Sequence, residues 1–297
     1  MKTFLKIAGI TISIEYPFAC KPWNSKNGTL ERYKPFFVNP VINPGININI
    51  SKINKPLLPQ GKMIFDSKGL WKLYASGSSL EICLSDPLSK KAHDEIIKTK
   101  GDFSSWEAGF SPSLSRKGRN ALDYPVLEVI MMNILSKNLG ILTHASGVIS
   151  LGQGLLFCGN SGAGKSTLSQ LWKKARPQDL LLTDDRAAIT KAGKNFMIFG
   201  TPWSGSANVY SSESGILKKV FFIAHSEKNS INKIDGIEAA SAIIRHSSLA
   251  YWNKAGLDFA IQFCAQLCKT IKCYRLGFVP DKSAVDFVSK FLKENER

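Results

Sequence analysis

No stretch of this sequence approaches the roughly 20 consecutive apolar residues that a membrane helix requires. The first twenty residues carry Lys2 and Lys6 ahead of a short apolar run. Thr11, Ser13 and Glu15 interrupt that run and no small-residue cleavage site follows, so it reads as a first strand rather than a secretory leader. The six cysteines form no C-x-x-C pair, and Cys264 and Cys268, four apart, have no histidine or second cysteine pair to complete a metal site. A reduced, structural set of thiols is expected, as in a cytoplasmic protein. Acidic residues are scarce, 23 against 39 basic, and the net charge of +16 calls for an anionic partner. Yet the basic residues form no block of five or six. Clusters such as Ser115 to Arg119 and Trp172 to Arg176 are short, and zinc-finger, RNP and basic-zipper signatures are missing, which disfavours nucleic acid. No internal repeat is visible.

What is present divides into two parts. Residues 1–120 are β-rich: "TFLKIAGITISIEY", "ININIS" and "KMIFDSKGLWKLYASGSSLEICLS" read as strands separated by glycine turns. A polar, turn-rich stretch, "SSWEAGFSPSLSRKGRN", follows as a linker or a loop. Residues 121–297 alternate strands with helices. Helices are expected after Pro125 (Val126, Leu127, Ile130, Met131, Ile134 and Leu135 at helical spacing), over 167–174, 237–244, 257–268 and 283–292. Short apolar strands lie between them, with hairpin turns at "LGQG" and "KAGK". The fold class is therefore α/β (α+β), a β-rich N-terminal region followed by a mixed-sheet domain.

The most specific feature is Gly159-Asn160-Ser161-Gly162-Ala163-Gly164-Lys165-Ser166-Thr167, which fits G-x-x-x-x-G-K-[ST]. It follows the apolar strand "LLFC" and opens a helix. Its glycines let the backbone curl so that several N–H groups face one anion, and the helix N-terminus adds positive potential. In this context Lys165 reaches the outer phosphates of a nucleotide and the Ser166 hydroxyl takes one position on Mg²⁺. Asp184 and Asp185 follow the next apolar strand, nineteen residues beyond Lys165, a gap that holds one helix and one return strand. Two carboxylates beside a phosphate can divide metal binding from proton acceptance. On a regular strand only one of them would face the phosphate. His144 in "THASG", Arg186 after the acidic pair, and Trp203 in "GTPWSG" are further candidates. Each also has a plain structural role open to it.

The run from His144 to Ile189 resembles the catalytic core of HPr kinase/phosphorylase, a family that shares its fold with PEP carboxykinase. The shared pattern is a histidine twenty-one residues before the loop lysine, the glycine loop, and an early Asp-Asp pair. The resemblance implies phosphate binding by Gly159–Ser166, Asp184 as base toward an acceptor hydroxyl, Asp185 as an organiser of Mg²⁺, and His144 near the transferred phosphate. Thr167 stands where the family carries Glu, and "FGTPWSG" replaces its L-E-I-R-G-x-G signature. The chain therefore looks more like divergent HPr-kinase-like proteins, some similar to kinases of peptide serines and others to kinases of free serine.

Three readings follow. The first is an ATP- and Mg²⁺-dependent phosphotransferase to serine of a protein or peptide, with the β-rich region as a possible substrate or partner surface. The second is a small-molecule kinase. The third is a nucleotide-binding regulatory protein that transfers nothing. The sequence assigns no oligomeric state.

Overall fold

The computed structural model describes residues 1–20, 22–23, 29–55, 57–68, 71–84, 95–99, 101–111 and 120–295. The basic cluster at 115–119 and the rest of 112–119 in the expected linker lie outside them, whereas Ser105–Phe110 of that stretch form a strand rather than a linker or loop, because Trp106, Ala108 and Phe110 alternate into the core. The chain is mixed α/β and forms two compact units, 1–134 and 135–297. Among the described residues no helix is long and apolar enough to cross a membrane.

The first unit is built on one eight-stranded sheet: β1 (Lys2–Ile7), β2 (Ile10–Glu15), β3 (Ile46–Lys52), β4 (Lys62–Asp66), β5 (Trp71–Ser76), β6 (Ser79–Leu84), β7 (Glu95–Thr99) and β8 (Ser105–Phe110). The spatial order is β1-β2-β3-β8-β7-β6-β5-β4, with β3 parallel to both neighbours and the other pairs antiparallel. Ala8 and Gly9 both have positive φ, as a two-residue hairpin turn between right-twisted strands requires. The described residues of this part of the chain also carry two α-helices, α1 (Thr29–Tyr33) and α2 (Val126–Leu135).

The second unit contains β9 (Gly140–Ser150), β10 (Gln153–Cys158), α3 (Lys165–Ala175), β11 (Leu180–Thr183), β12 (Arg186–Ala192), β13 (Asn195–Phe199), β14 (Ser214–His225), β15 (Ser230–Lys233), α4 (Gly236–Arg245), β16 (Ser247–Ser248), α5 (Lys254–Thr270), β17 (Lys272–Phe278) and α6 (Lys282–Glu294). The hairpins expected at "LGQG" and "KAGK" form, with Leu151, Gly152 and Gly193 at positive φ. Strand β9 is long enough to serve several partners. Its first half pairs with β12 and β16, and its second half pairs with β10 and β11. The pairings β10-β9-β12-β13-β14-β10 close on themselves, so these strands leave little open edge.

The parallel trio β10-β14-β17 is the frame of the site. Leu155–Cys158 of β10 and Val220–Ala224 of β14 are continuous apolar runs, because both faces of the sheet are covered there. Leu156, Cys158, Val220 and Cys273 turn toward α4 and α5, packing with Ala239, Ile243, Phe263, Cys264 and Leu267. Leu155, Phe157, Phe221 and Tyr274 turn toward α3 and α6, packing with Leu168, Trp172, Val285, Val288 and Leu292. Phe157 stacks on Phe221 at 5.2 Å and meets Trp172 at 5.4 Å, which fixes the pitch of α3 against the sheet. All six cysteines are buried without disulfides. Burial pushes the thiols of Cys83 and Cys264 up to about 12, which leaves them inert as nucleophiles.

Trp172 is fully buried and its indole N–H donates to Asp179 at 2.9 Å. Trp172→Ala is expected to lower unfolding free energy by about 3–5 kcal/mol. Urea unfolding should show this as a lower midpoint at unchanged slope. A loss under about 1 kcal/mol would mean that α3 is not held by this contact.

Candidate functional site

Strand β10 delivers the chain into the glycine loop at its carboxyl end, and α3 starts at Lys165. Gly164 precedes the helix with φ of 97°. A β-carbon there would lie 2.6 Å from the Phe278 ring and 2.9 Å from the His225 ring, so glycine is the residue that fits. No side chain caps α3, whereas Asp235, Asn253 and Asp281 cap α4, α5 and α6. The first N–H groups of α3 are therefore directed at whatever anion the loop holds. Asn160, Ser161, Gly162 and Thr167 are exposed around this end.

Lys165 is buried, and its ammonium donates to the carbonyls of Gly159 at 2.7 Å and Asn160 at 3.1 Å. Burial lowers its pKa; the charge of Asp185 works in the opposite direction. The ammonium thus sits inside the loop, held by two of its backbone carbonyls.

Strand β11 does not run through the acidic pair. It ends at Thr183 after a register irregularity, and Asp184 and Asp185 occupy a bend before β12. The bend removes the strict two-face alternation of a strand, and the two carboxylates have very different surroundings. Asp184 is 1% exposed. Its Oδ1 accepts from the backbone N–H of Gly205 at 2.9 Å and Val209 at 3.2 Å. Its Oδ2 accepts from Ala207 N–H at 2.8 Å and the Ser166 hydroxyl at 3.2 Å. Asp184 therefore ties the segment containing "GTPWSG" to the loop serine. A β-carbon at Gly205 would fall 2.9 Å from Asp184 Oδ2, which explains the glycine.

Asp185 is partly exposed. Its Oδ1 lies 3.0 Å from His144 Nδ1, and its Oδ2 accepts from Arg186 at 2.9 Å. Burial alone would raise the Asp185 pKa. The bond to His144 and the positive charges of Arg186, His144 and Lys165 outweigh it and hold the carboxyl below the usual carboxylate range. His144 stands in the middle of β9, directly opposite Arg186 in the ladder, where the strand changes partners. The Arg186 guanidinium also contacts His144 Nδ1. Thr201 donates to the Arg186 carbonyl at 2.6 Å, and Trp203 is buried with no hydrogen-bond partner for its indole N–H among the described residues.

The residues singled out in the sequence fall into two adjoining groups. Lys165, Ser166 and Asp184 are joined through the loop and α3. His144, Asp185 and Arg186 are joined across the β9-β12 ladder, with Asp185 also acting electrostatically on Lys165. Two further histidines stand beside them. The ring of His225, at the end of β14, lies against Gly164 and packs on Phe278 at 5.0 Å. His246 accepts the His144 backbone N–H at 2.6 Å, and burial, followed by the charges of Lys165 and His144, pulls its pKa down. Neither histidine carries a motif. The signal that could have found them is histidine scarcity: three of the four in the chain converge here.

Asp184→Ala would leave three backbone N–H groups without an acceptor, at about 1–3 kcal/mol each if the segment stayed closed. The segment is expected to open instead. Chymotrypsin should then cut after Trp203 or Tyr210, and Trp203 emission should shift to the red. A variant as resistant and as blue as the parent chain would show that Asp184 does not hold the segment.

No protein-family model matches the chain, and no curated protein matches it. Among solved structures the chain is similar to the HPr(Ser) kinase/phosphatase from Coxiella burnetii, with a TM-score of 0.31 and 11% identity, over 52% of this chain and 95% of that one.

Proposed function

We propose that the chain is an ATP- and Mg²⁺-dependent phosphotransferase that moves a γ-phosphoryl group to a hydroxyl, with serine of a protein or peptide as the acceptor class. The observation that carries this reading is the approach of Lys165, Ser166 and an acidic pair to one uncapped helix N-terminus. The donor set fits a hard cation, since the Ser166 hydroxyl and a carboxylate oxygen of Asp184 are neighbours at the phosphate end of α3. When bound, Mg²⁺ would neutralise charge on the outer phosphates.

The protein's own contribution is positioning and charge. The loop N–H groups and α3 would fix the nucleotide phosphates. Lys165 would leave the Gly159 and Asn160 carbonyls for the transferred group and offset its charge. The acceptor hydroxyl would give its proton to a carboxylate as its oxygen attacks phosphorus and the bond to ADP breaks. The geometry favours Asp185 for that proton and Asp184 for the metal side, the reverse of the division implied by the sequence resemblance. Asp184 has both oxygens engaged and is buried, while Asp185 is partly exposed and ionised. His144 and Arg186 would hold Asp185 in place. We assign acceptor or partner binding to the β-rich first unit, whose polar cavity of about 640 Å³ is lined by Gln60, Ser76, Ser79, Glu81, Lys98 and Glu107 among others.

The test is incubation of the purified chain with [γ-³²P]ATP, Mg²⁺ and an extract of its source. A labelled product is expected, and its size separates a peptide from free serine. Lys165→Ala should lower labelling at least about a hundredfold. Asp185→Asn should lower it about 10²–10⁴-fold with nucleotide affinity little changed. Undiminished labelling by Lys165→Ala would contradict the reading. Undiminished labelling by Asp185→Asn would return the proton to Asp184.

A further inference from the structure

The glycine loop has two flanks, because β10 lies between β9 and β14 in the sheet. On the β9 flank stand His144, Asp185 and Arg186. The other flank is formed by the carboxyl ends of β14 and β17, where α/β sheets hold their ligands. A β-carbon on Gly159 would lie 3.0 Å from Ile223 Cγ1, so β14 runs directly along the start of the loop. Two residues further on, β14 ends at His225, whose partner in the ladder is Phe278, the last residue of β17.

These two rings differ in exposure. Phe278 is fully buried, whereas His225 is exposed. Their centroids are 5.0 Å apart with the planes tilted by 34°. A β-carbon on Gly164 would fall 2.9 Å from His225 Cε1 and 3.1 Å from its Nε2. The edge of the imidazole therefore borders the last glycine before Lys165. The turn that follows is fastened to the end of β17: Ser226 N–H donates to the Phe278 carbonyl at 3.0 Å, and Asn229 Oδ1 accepts the Val279 N–H at 2.8 Å. An aromatic ring is thus supported from below, tied at its backbone and open to solvent at the mouth of an anion-binding loop.

We propose that His225 is the shelf for the nucleoside, its imidazole stacking on the purine base. The inference rests on the nucleotide reading of the loop. Transfer requires the outer phosphates to face the acidic pair on the β9 flank. The inner phosphate and the nucleoside then leave over the opposite flank, where the imidazole lies. Histidine is among the side chains on which bases stack. Stacking needs only a π-face, so this shelf grips the base without identifying it. Because Phe278 and the fastened turn hold the ring before a ligand arrives, little freedom is lost on binding.

The test compares ATP with inorganic tripolyphosphate, which carries the phosphates without the nucleoside. Both are titrated calorimetrically, with Mg²⁺, into the parent chain, His225→Ala and His225→Phe. His225→Ala should weaken ATP about tenfold and leave tripolyphosphate within about twofold of the parent. His225→Phe keeps the π-face and should hold ATP within about threefold of the parent. A merely structural histidine would move both ligands, since a loosened loop grips neither. Undiminished ATP binding by His225→Ala would overturn the proposal. So would a like loss for both ligands, or a His225→Phe variant as weak toward ATP as His225→Ala. A parent chain that binds neither ligand would instead remove the nucleotide reading of the loop, and this inference with it.

Discussion

The carboxylate of Asp184 is the knot on which the site depends. Three backbone N–H groups and one hydroxyl converge on its two oxygens in a buried position. Such charge-assisted bonds are roughly twice as strong as neutral ones. They fix the segment around Trp203, set the side of Ser166, and hold the bend that turns Asp185 the other way. Without this anchor the two acidic residues would be neighbours in sequence and little else. With it, one is a buried structural anion beside Ser166 and the other is a partly exposed carboxylate against His144 and Arg186.

A second constraint is the direction of the central strands. Because β10, β14 and β17 are parallel, their carboxyl ends collect the glycine loop, His225 and Phe278, as expected of ligand sites in α/β sheets. Lys218, Lys219 and Lys272 lie toward their amino ends, away from the glycine loop.

Much of this architecture was legible in the sequence. The turns at 151–152 and 193–194, the apolar run of β10 and the helices of the second part follow from glycine placement and hydrophobic period. The loop and the acidic pair were legible because nineteen residues leave room for one connection. The distinct fates of Asp184 and Asp185 were not. Asp184's partners are backbone N–H groups of residues 205, 207 and 209, and a backbone donor has no residue letter. His225 and His246 were invisible for another reason, since they reach His144 and Gly164 only through strand register and the end of α4.

The central claim is that a metal–nucleotide complex sits at the start of α3 with Ser166 beside the metal. Pulsed electron paramagnetic resonance of Mn²⁺ with ATP on the purified chain tests it most directly. The account predicts phosphorus-31 couplings to the bound ion in the parent chain, lost or greatly reduced in Ser166→Ala. A parent chain that holds ATP with no phosphorus coupling, or couplings untouched by Ser166→Ala, would contradict it.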